Sequence, residues 1–198
     1  IRRCGKSTLL LQYQAWLKAN GISEEQIVSI NFEELEYEEL QDYRKLYAHL
    51  KEHLCEEKKT YIFLDEIQKV PSFEKVVDSL YIKPDVDIYI TGSNAYMLSG
   101  DLATLLTGRY VEIKMLPLSF REFLEFKKNS ALSTDEKLEE YIRFGGFPII
   151  ALGNYDPDSA DQISNGIYHT IVSRDIISRH RRNRQDLFER VVRFTIEN

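Results

Sequence analysis

Cysteine is scarce: two residues in 198, Cys4 and Cys55. Their spacing is neither a metal-ligand pattern nor a disulfide framework, so reduced thiols and a cytoplasmic setting are expected. No run of about 18 apolar residues occurs, which excludes a membrane-spanning helix. No secretory signal is visible. An excess of positive charge is missing too. With 26 Lys and Arg against 32 Asp and Glu, the formal net charge is −6, which argues against wholesale nucleic-acid binding. Internal repeats and low-complexity tracts are absent. The chain also lacks an initiating Met, and it closes inside an apolar helical pattern (Leu187, Val191, Val192, Phe194, Ile196). It is therefore read as a piece of a longer chain. What is present suits one domain, or one and a part, with an apolar fraction of 43%, ordinary for a globular core.

The most informative stretch is the first, Ile1-Arg2-Arg3-Cys4-Gly5-Lys6-Ser7-Thr8. Gly5-Lys6-Ser7 is the closing half of the pattern G-x-x-x-x-G-K-[ST], with Ile1 to Cys4 at the variable positions and the opening glycine expected just before Ile1. A loop of that length turns successive backbone N–H groups toward a phosphate, and its glycines permit close approach. Lys6 would reach the β- and γ-phosphates, and the Ser7 hydroxyl would ligate Mg2+. The helix behind them would add its positive end. Arg2 and Arg3 are read as facing solvent or the nucleotide edge. The tripeptide alone is a weak signal, and the strand that normally precedes such a loop is absent.

Along the chain, Ser7 to Asn20 has helical spacing and stops at Gly21. Gln26 to Phe32 reads as a strand, Glu33 to Glu39 as a solvated acidic loop, and Glu39 to Cys55 as a helix. Thr60 to Asp65 is apolar on both faces, the mark of a strand covered on both sides in a parallel α/β sheet. A helix follows from Pro71 through Leu80, then a strand at Asp87 to Thr91, a helical stretch at Leu98 to Thr107, and a strand at Tyr110 to Met115. Beyond this only helices are expected: Ser119 to Phe126, Thr134 to Phe144 behind a Ser133/Glu136 capping box, and two more from Ala160 and Asp186. Lys127 to Ala131 is a candidate linker, and Gly145-Gly146-Phe147-Pro148 a sharp break. Strands alternating with helices, then helices alone, imply an α/β layer with a helical appendage.

Two further motifs carry chemistry. Tyr61-Ile62-Phe63-Leu64-Asp65-Glu66 has the Walker B form: four apolar residues, then two acids. A carboxylate at the C-terminal edge of a buried strand faces the crevice where open α/β sheets bind ligands. Asp65 would hold Mg2+, and Glu66 would polarise the attacking water. The plainer alternative is a strand end with two solvated acids; beside Gly5-Lys6-Ser7 the functional reading is preferred. Ile90-Thr91-Gly92-Ser93-Asn94 leaves the next strand, where a group sensing the γ-phosphate belongs. Ser93 or Asn94 would orient the water, unless the stretch is only a turn capping a helix.

Taken together, the chain resembles the predicted AAA-superfamily (AAA+) P-loop ATPases of bacteria and archaea that carry a C-terminal region of unknown function. The residues that resemble them are Arg2 to Thr8, Asn31-Phe32-Glu33, Leu64-Asp65-Glu66-Ile67-Gln68, Thr91-Gly92-Ser93, Gly108-Arg109, Pro117 to Phe123 and Gly145 to Pro148. The missing upstream strand and first glycine are the departure. The resemblance implies ATP and Mg2+ binding and slow hydrolysis. The nucleotide-binding set would be Arg3, Cys4, Gly5, Lys6, Ser7 and Thr8, with Ser7 and Asp65 at the metal. Glu66, Ser93, Asn94 and Arg109 would form the catalytic set, Arg109 either as a finger on the phosphates or in a surface ion pair. No Asn-Lys-x-Asp guanine motif occurs, so adenine is expected. The basic run Arg179-His180-Arg181-Arg182-Asn183-Arg184, preceded by Ser173-Arg174-Asp175, would suit nucleic-acid phosphates. A solvated loop is preferred there, since no aromatics interleave it.

The expected architecture is a P-loop NTPase of the α/β class. A mostly parallel sheet flanked by helices occupies residues 1–127, and a smaller all-helical region occupies 128–198. Its expected function is Mg2+-dependent ATP hydrolysis coupled to the helical region. A nucleotide-gated switch and a DNA-binding regulator are the alternatives. A protein partner or a second copy of the chain is expected beside ATP, and no membrane.

Overall fold

Thr60–Asp65 forms the middle strand of the sheet, β2, between β1 (Ile27–Asn31) and β3 (Val86–Ile90). The computed structural model describes residues 2–92, 108–171, 190, 191 and 194. Both neighbours run parallel to β2, in a register that sets Asn31 beside Asp65 and Leu64 beside Ile90. Parallel strands cannot be joined by hairpins. Helices α2 (Tyr43–Glu52) and α3 (Phe73–Tyr81) supply the two crossovers, and α1 (Lys6–Ala19) precedes β1.

Side chains alternate across a strand, so the sheet has two different faces. One face, carrying Val28, Ile30, Ile62 and Leu64, packs under α2 and α3 through Leu46, Leu50, Val76 and Leu80. Leu46, Leu50, Ile62, Leu64 and Leu80 are completely buried. Each such side chain contributes about 2 kcal/mol of transfer free energy. The other face carries Ser29, Phe63 and Tyr89 and lies under α1. There the Tyr13 ring meets Phe63 and Tyr89 edge-on, and Gln14 donates to the Ser29 hydroxyl at 3.0 Å. The result is an α/β layer of the P-loop NTPase kind. α1 ends in a Schellman turn: Gly21 takes φ 91°, its N–H reaches Lys18 O, and Ile22 N–H reaches Leu17 O.

Three sequence expectations change. Leu35–Gln41, within and beyond the expected acidic loop, winds into 3₁₀ turns. The acids face solvent while Tyr37 and Leu40, three apart, reach the core under α2. Helix α2 starts at Tyr43 rather than Glu39 because the Asp42 carboxylate accepts from the N–H groups of Arg44 and Lys45. Tyr110 to Met115 enters no ladder among the described residues, and Val111 and Ile113 are 89% and 75% exposed. An apolar, β-branched run becomes a strand only where its backbone groups pair with a neighbour's, and no described segment pairs with this one. The expected helix at Leu98 to Thr107 lies outside the described residues.

The second compact unit comprises Leu116–Asn198 with Arg2–Cys4. Among the described residues its elements are helical: α4 (Phe120–Phe126), α5 (Thr134–Phe144), α6 (Pro148–Leu152) and α7 (Pro157–Ile171). They enclose Phe123, Phe144, Ile150, Ala151 and Ala160. Ser119 with Glu122 and Ser133 with Glu136 form complete capping boxes at α4 and α5. The break between α5 and α6 has a steric cause. A Cβ on Gly146 would stand 2.2 Å from Leu118 O, where the backbones meet through a Leu118 N–H to Gly146 O bond of 2.6 Å. No helix among the described residues is long and apolar enough to cross a membrane.

Candidate functional site

Gly5, in the first compact unit (Gly5–Met115), stands before α1 with φ 94°, a left-handed conformation that glycine adopts without a steric penalty. Arg3 is left-handed as well, at φ 58°, and Cys4 is buried; both belong to the second compact unit. α1 begins at Lys6. Its first turn has no side-chain cap and no acidic residue. Uncapped N–H groups and the positive end of the helix dipole make such a terminus suited to an anion. Lys6 is half-buried, while Ser7 and Thr8 are exposed.

Strand parity decides where the acids go. Asp65 is two residues after Phe63, so it falls on the α1 side of the sheet, at the carboxyl edge. Ser7 and Asp65 line one cleft there, of about 150 Å³, with Gln14, Ser29, Asn31 and Glu34. Lys6 and Glu66 adjoin these two in the chain but do not line the cleft. The oxygen donors Ser7, Asp65, Asn31 and Glu34 are of the hard type that Mg2+ prefers. Asn31 accepts from the Glu33 N–H at 3.0 Å and donates to Glu34 at 3.2 Å, so its side chain is fixed at the rim. Phe63 also lines the cleft. Phe63 stacks on Tyr89 with centroids 4.9 Å apart, and the Tyr13 and Tyr89 hydroxyls are 3.3 Å apart. Burial first, then that hydrogen bond, pushes the Tyr89 phenol well above its ordinary value.

Asp65 is buried and accepts from the Thr91 hydroxyl. Glu66 is left-handed at φ 54°, donates its N–H to Thr91 Oγ1 at 3.2 Å, and accepts from the Gln68 amide. Ser93 and Asn94 lie outside the described residues, as does the basic run from Arg179 to Arg184. Arg109 is held on α3: it pairs with Asp78 at 3.0 Å and lies 5.7 Å over the Tyr81 ring. Of its two sequence alternatives, the surface ion pair is the arrangement seen.

Sequence reasoning passed over Thr91 and Gln68 as individual residues. Thr91 was legible in principle, because it is to Ile90 what Asp65 is to its in-register partner Leu64, and so falls beside that acid. Gln68 carried no such signal; its contact depends on the left-handed turn at Glu66.

Residues 1–124 match the sequence pattern of a family described as an AAA domain. An uncharacterized protein of Haemophilus influenzae is 41% identical over 201 residues, covering 100% of this chain and 50% of that protein. An uncharacterized protein of Methanocaldococcus jannaschii is 34% identical over 197 residues, covering 91% of this chain and 41% of that protein. The chain thus spans half or less of the length of these curated relatives. No solved structure matches it. The matched span takes in the loop before α1, the whole parallel sheet and the cleft at its carboxyl edge, and on that ground the chain belongs to the AAA domain family, whose general function is that of a nucleotide-binding ATPase.

Proposed function

We propose that this chain binds ATP with Mg2+ and hydrolyses it, its nucleotide state being passed to the helical region. The observation that carries this reading is that Ser7 and Asp65, 58 positions apart (65 − 7), line the same cleft at the start of α1. The module is taken as residues 1–127, with 128–198 as the region it drives, in a cytoplasmic protein whose two cysteines are free.

Gly5, Lys6, Ser7 and Thr8, with Arg3 and Cys4 before them, bind the phosphates: Lys6 by charge and the first turn of α1 by its N–H groups. Ser7 and Asp65 hold Mg2+, which supplies charge neutralisation on the phosphate oxygens. Glu66 takes a proton from water as the water oxygen bonds to the γ-phosphorus. The bond from that phosphorus to the β,γ-bridging oxygen breaks, and the electron pair leaves with ADP. Ser93 or Asn94 orients the water. Arg109, once released from Asp78, serves phosphates at a neighbouring copy.

The test is nucleotide titration and phosphate release on the full-length protein. Lys6→Ala is expected to abolish ATP binding at concentrations that saturate the wild type. Wild-type protein with no ATP affinity in the presence of Mg2+ would sink the proposal. Retained signalling by Glu66→Gln without turnover would convert it into a nucleotide-gated switch.

A further inference from the structure

The two acids at the end of β2 are held by side chains outside the acid pair itself. Thr91 is buried just past β3, and its hydroxyl is used twice: it donates to Asp65 Oδ1 and accepts from the Glu66 N–H. Its backbone is pinned on both sides. The Thr91 N–H donates to Leu64 O at 3.0 Å, and Thr91 O accepts from Ile67 N–H at 3.1 Å. With Oδ1 engaged by a group whose backbone is pinned, rotation of the Asp65 carboxylate is restricted.

Glu66 is held through both its backbone and its side chain. Its backbone sits at φ 54° and ψ 42°, which a residue with a side chain occupies at a cost, and the bond to Thr91 is one interaction that keeps it there. Its carboxylate takes the Gln68 Nε2 donor. Gln68 Oε1 is the one buried side-chain nitrogen or oxygen without a hydrogen-bond partner among the described residues. Turning the amide over would give that oxygen no relief, because it would face an ionised carboxylate, acceptor against acceptor. The unpaired oxygen is what it takes to commit the donor end to Glu66.

We propose that Thr91 and Gln68 are the positioning residues of this site: Thr91 orients Asp65 for the cation, and Gln68 aims the Glu66 carboxylate at the water. This rests on the hydrolysis reading above. The two arms reach different acids, so their losses read out differently. Thr91→Val keeps the shape and removes the hydroxyl. The Mg2+ concentration giving half-maximal turnover in the full-length protein is expected to rise about tenfold or more, the usual penalty for losing the partner of a metal ligand, and Thr91→Ser should restore it. Gln68→Met keeps the length and removes the amide. Its kcat should fall about tenfold with KM for ATP and the Mg2+ requirement unchanged. Melting curves check folding, and Thr91→Cys, a weak donor, replaces the valine variant if that one does not fold. Wild-type Mg2+ dependence in Thr91→Val, or wild-type kcat in Gln68→Met, overturns the assignment while leaving hydrolysis intact. Absence of ATP binding by the wild type would overturn both.

Discussion

In the helical unit three of the four described helices begin on an instruction a few residues long. Ser119 pairs with Glu122, Ser133 with Glu136, and Asp156 with Ser159, and α4, α5 and α7 start there. In the α/β unit the residues that matter meet from far apart. Thr91 bonds to Asp65 across 26 positions, and Gln14 to Ser29 across 15. The local caps are exposed and replaceable, each worth a fraction of the unit's stability. The distant contacts depend on strand register, and the Thr91–Asp65 bond is buried, so one wrong residue spoils the geometry of several. Stability is therefore spread over many small local terms in one unit. In the other, the candidate chemistry hangs on a few long-range ones.

The largest effect should come from the end of β2. Glu66→Gln is expected to cut phosphate release by about 100-fold or more while ATP still binds, since a general base contributes on that order. Equal loss of binding and turnover would assign Glu66 to holding the site together instead. Next is the sheet itself. Leu64→Ala, at a completely buried position, should cost about 3 kcal/mol in denaturant unfolding. A cost nearer 1 kcal/mol would mean the core under α2 and α3 closes over the cavity, blurring the contrast between the units. Ser133→Ala removes a cap and should cost about 1 kcal/mol with no change in ATP affinity. Altered affinity would mean the caps also serve the α/β unit.

The smallest effect is in the pH dependence of those caps. The backbone N–H and hydroxyl of Ser133 hold Glu136 below its ordinary carboxylate value, as the hydroxyl and N–H of Ser119 do for Glu122. Asp42 is lowered in the α/β unit by the N–H groups of Lys45 and Arg44. A carboxylate whose folded pKa lies below its unfolded one stabilises the fold above the unfolded value, and that gain is lost as pH falls through the folded value. Ser133→Ala should therefore differ from the wild type less in acid than at neutral pH, since the hydroxyl's bond to the Glu136 N–H is lost at any pH while its bond to the carboxylate counts only when Glu136 is charged. An equal difference at both pH values would show that Glu136 adds nothing to the cap.

Much of this was readable beforehand, and the failures have causes. β2 was legible to the residue, because only a strand covered on both faces is apolar at Ile62, Phe63 and Leu64 alike. The 3₁₀ turns at Leu35–Gln41 were not, since Tyr37 and Leu40 are too few to show a period among so many acids. Tyr110 to Met115 looks like a strand in isolation, but a strand is a property of two segments. In the candidate site, Ser7 and Asp65 could be named from their motifs. Thr91 needed the pairing of β2 with β3 as well, and Gln68 could not be named, because its contact depends on one left-handed residue.

Local sequence by itself determined the starts of α4, α5 and α7, the doubly apolar middle strand, and the residue types of the Gly5-Lys6-Ser7 and Asp65-Glu66 motifs. Those features rest on periodicity, capping and side-chain chemistry, which act within a few residues of each other. Tertiary structure alone decided that Asp65 turns toward α1, that Thr91 serves both acids, and that Arg109 rests on Asp78. Each of these depends on which strand lies beside which and in what register, and neighbouring residues along the chain carry no energy that depends on it.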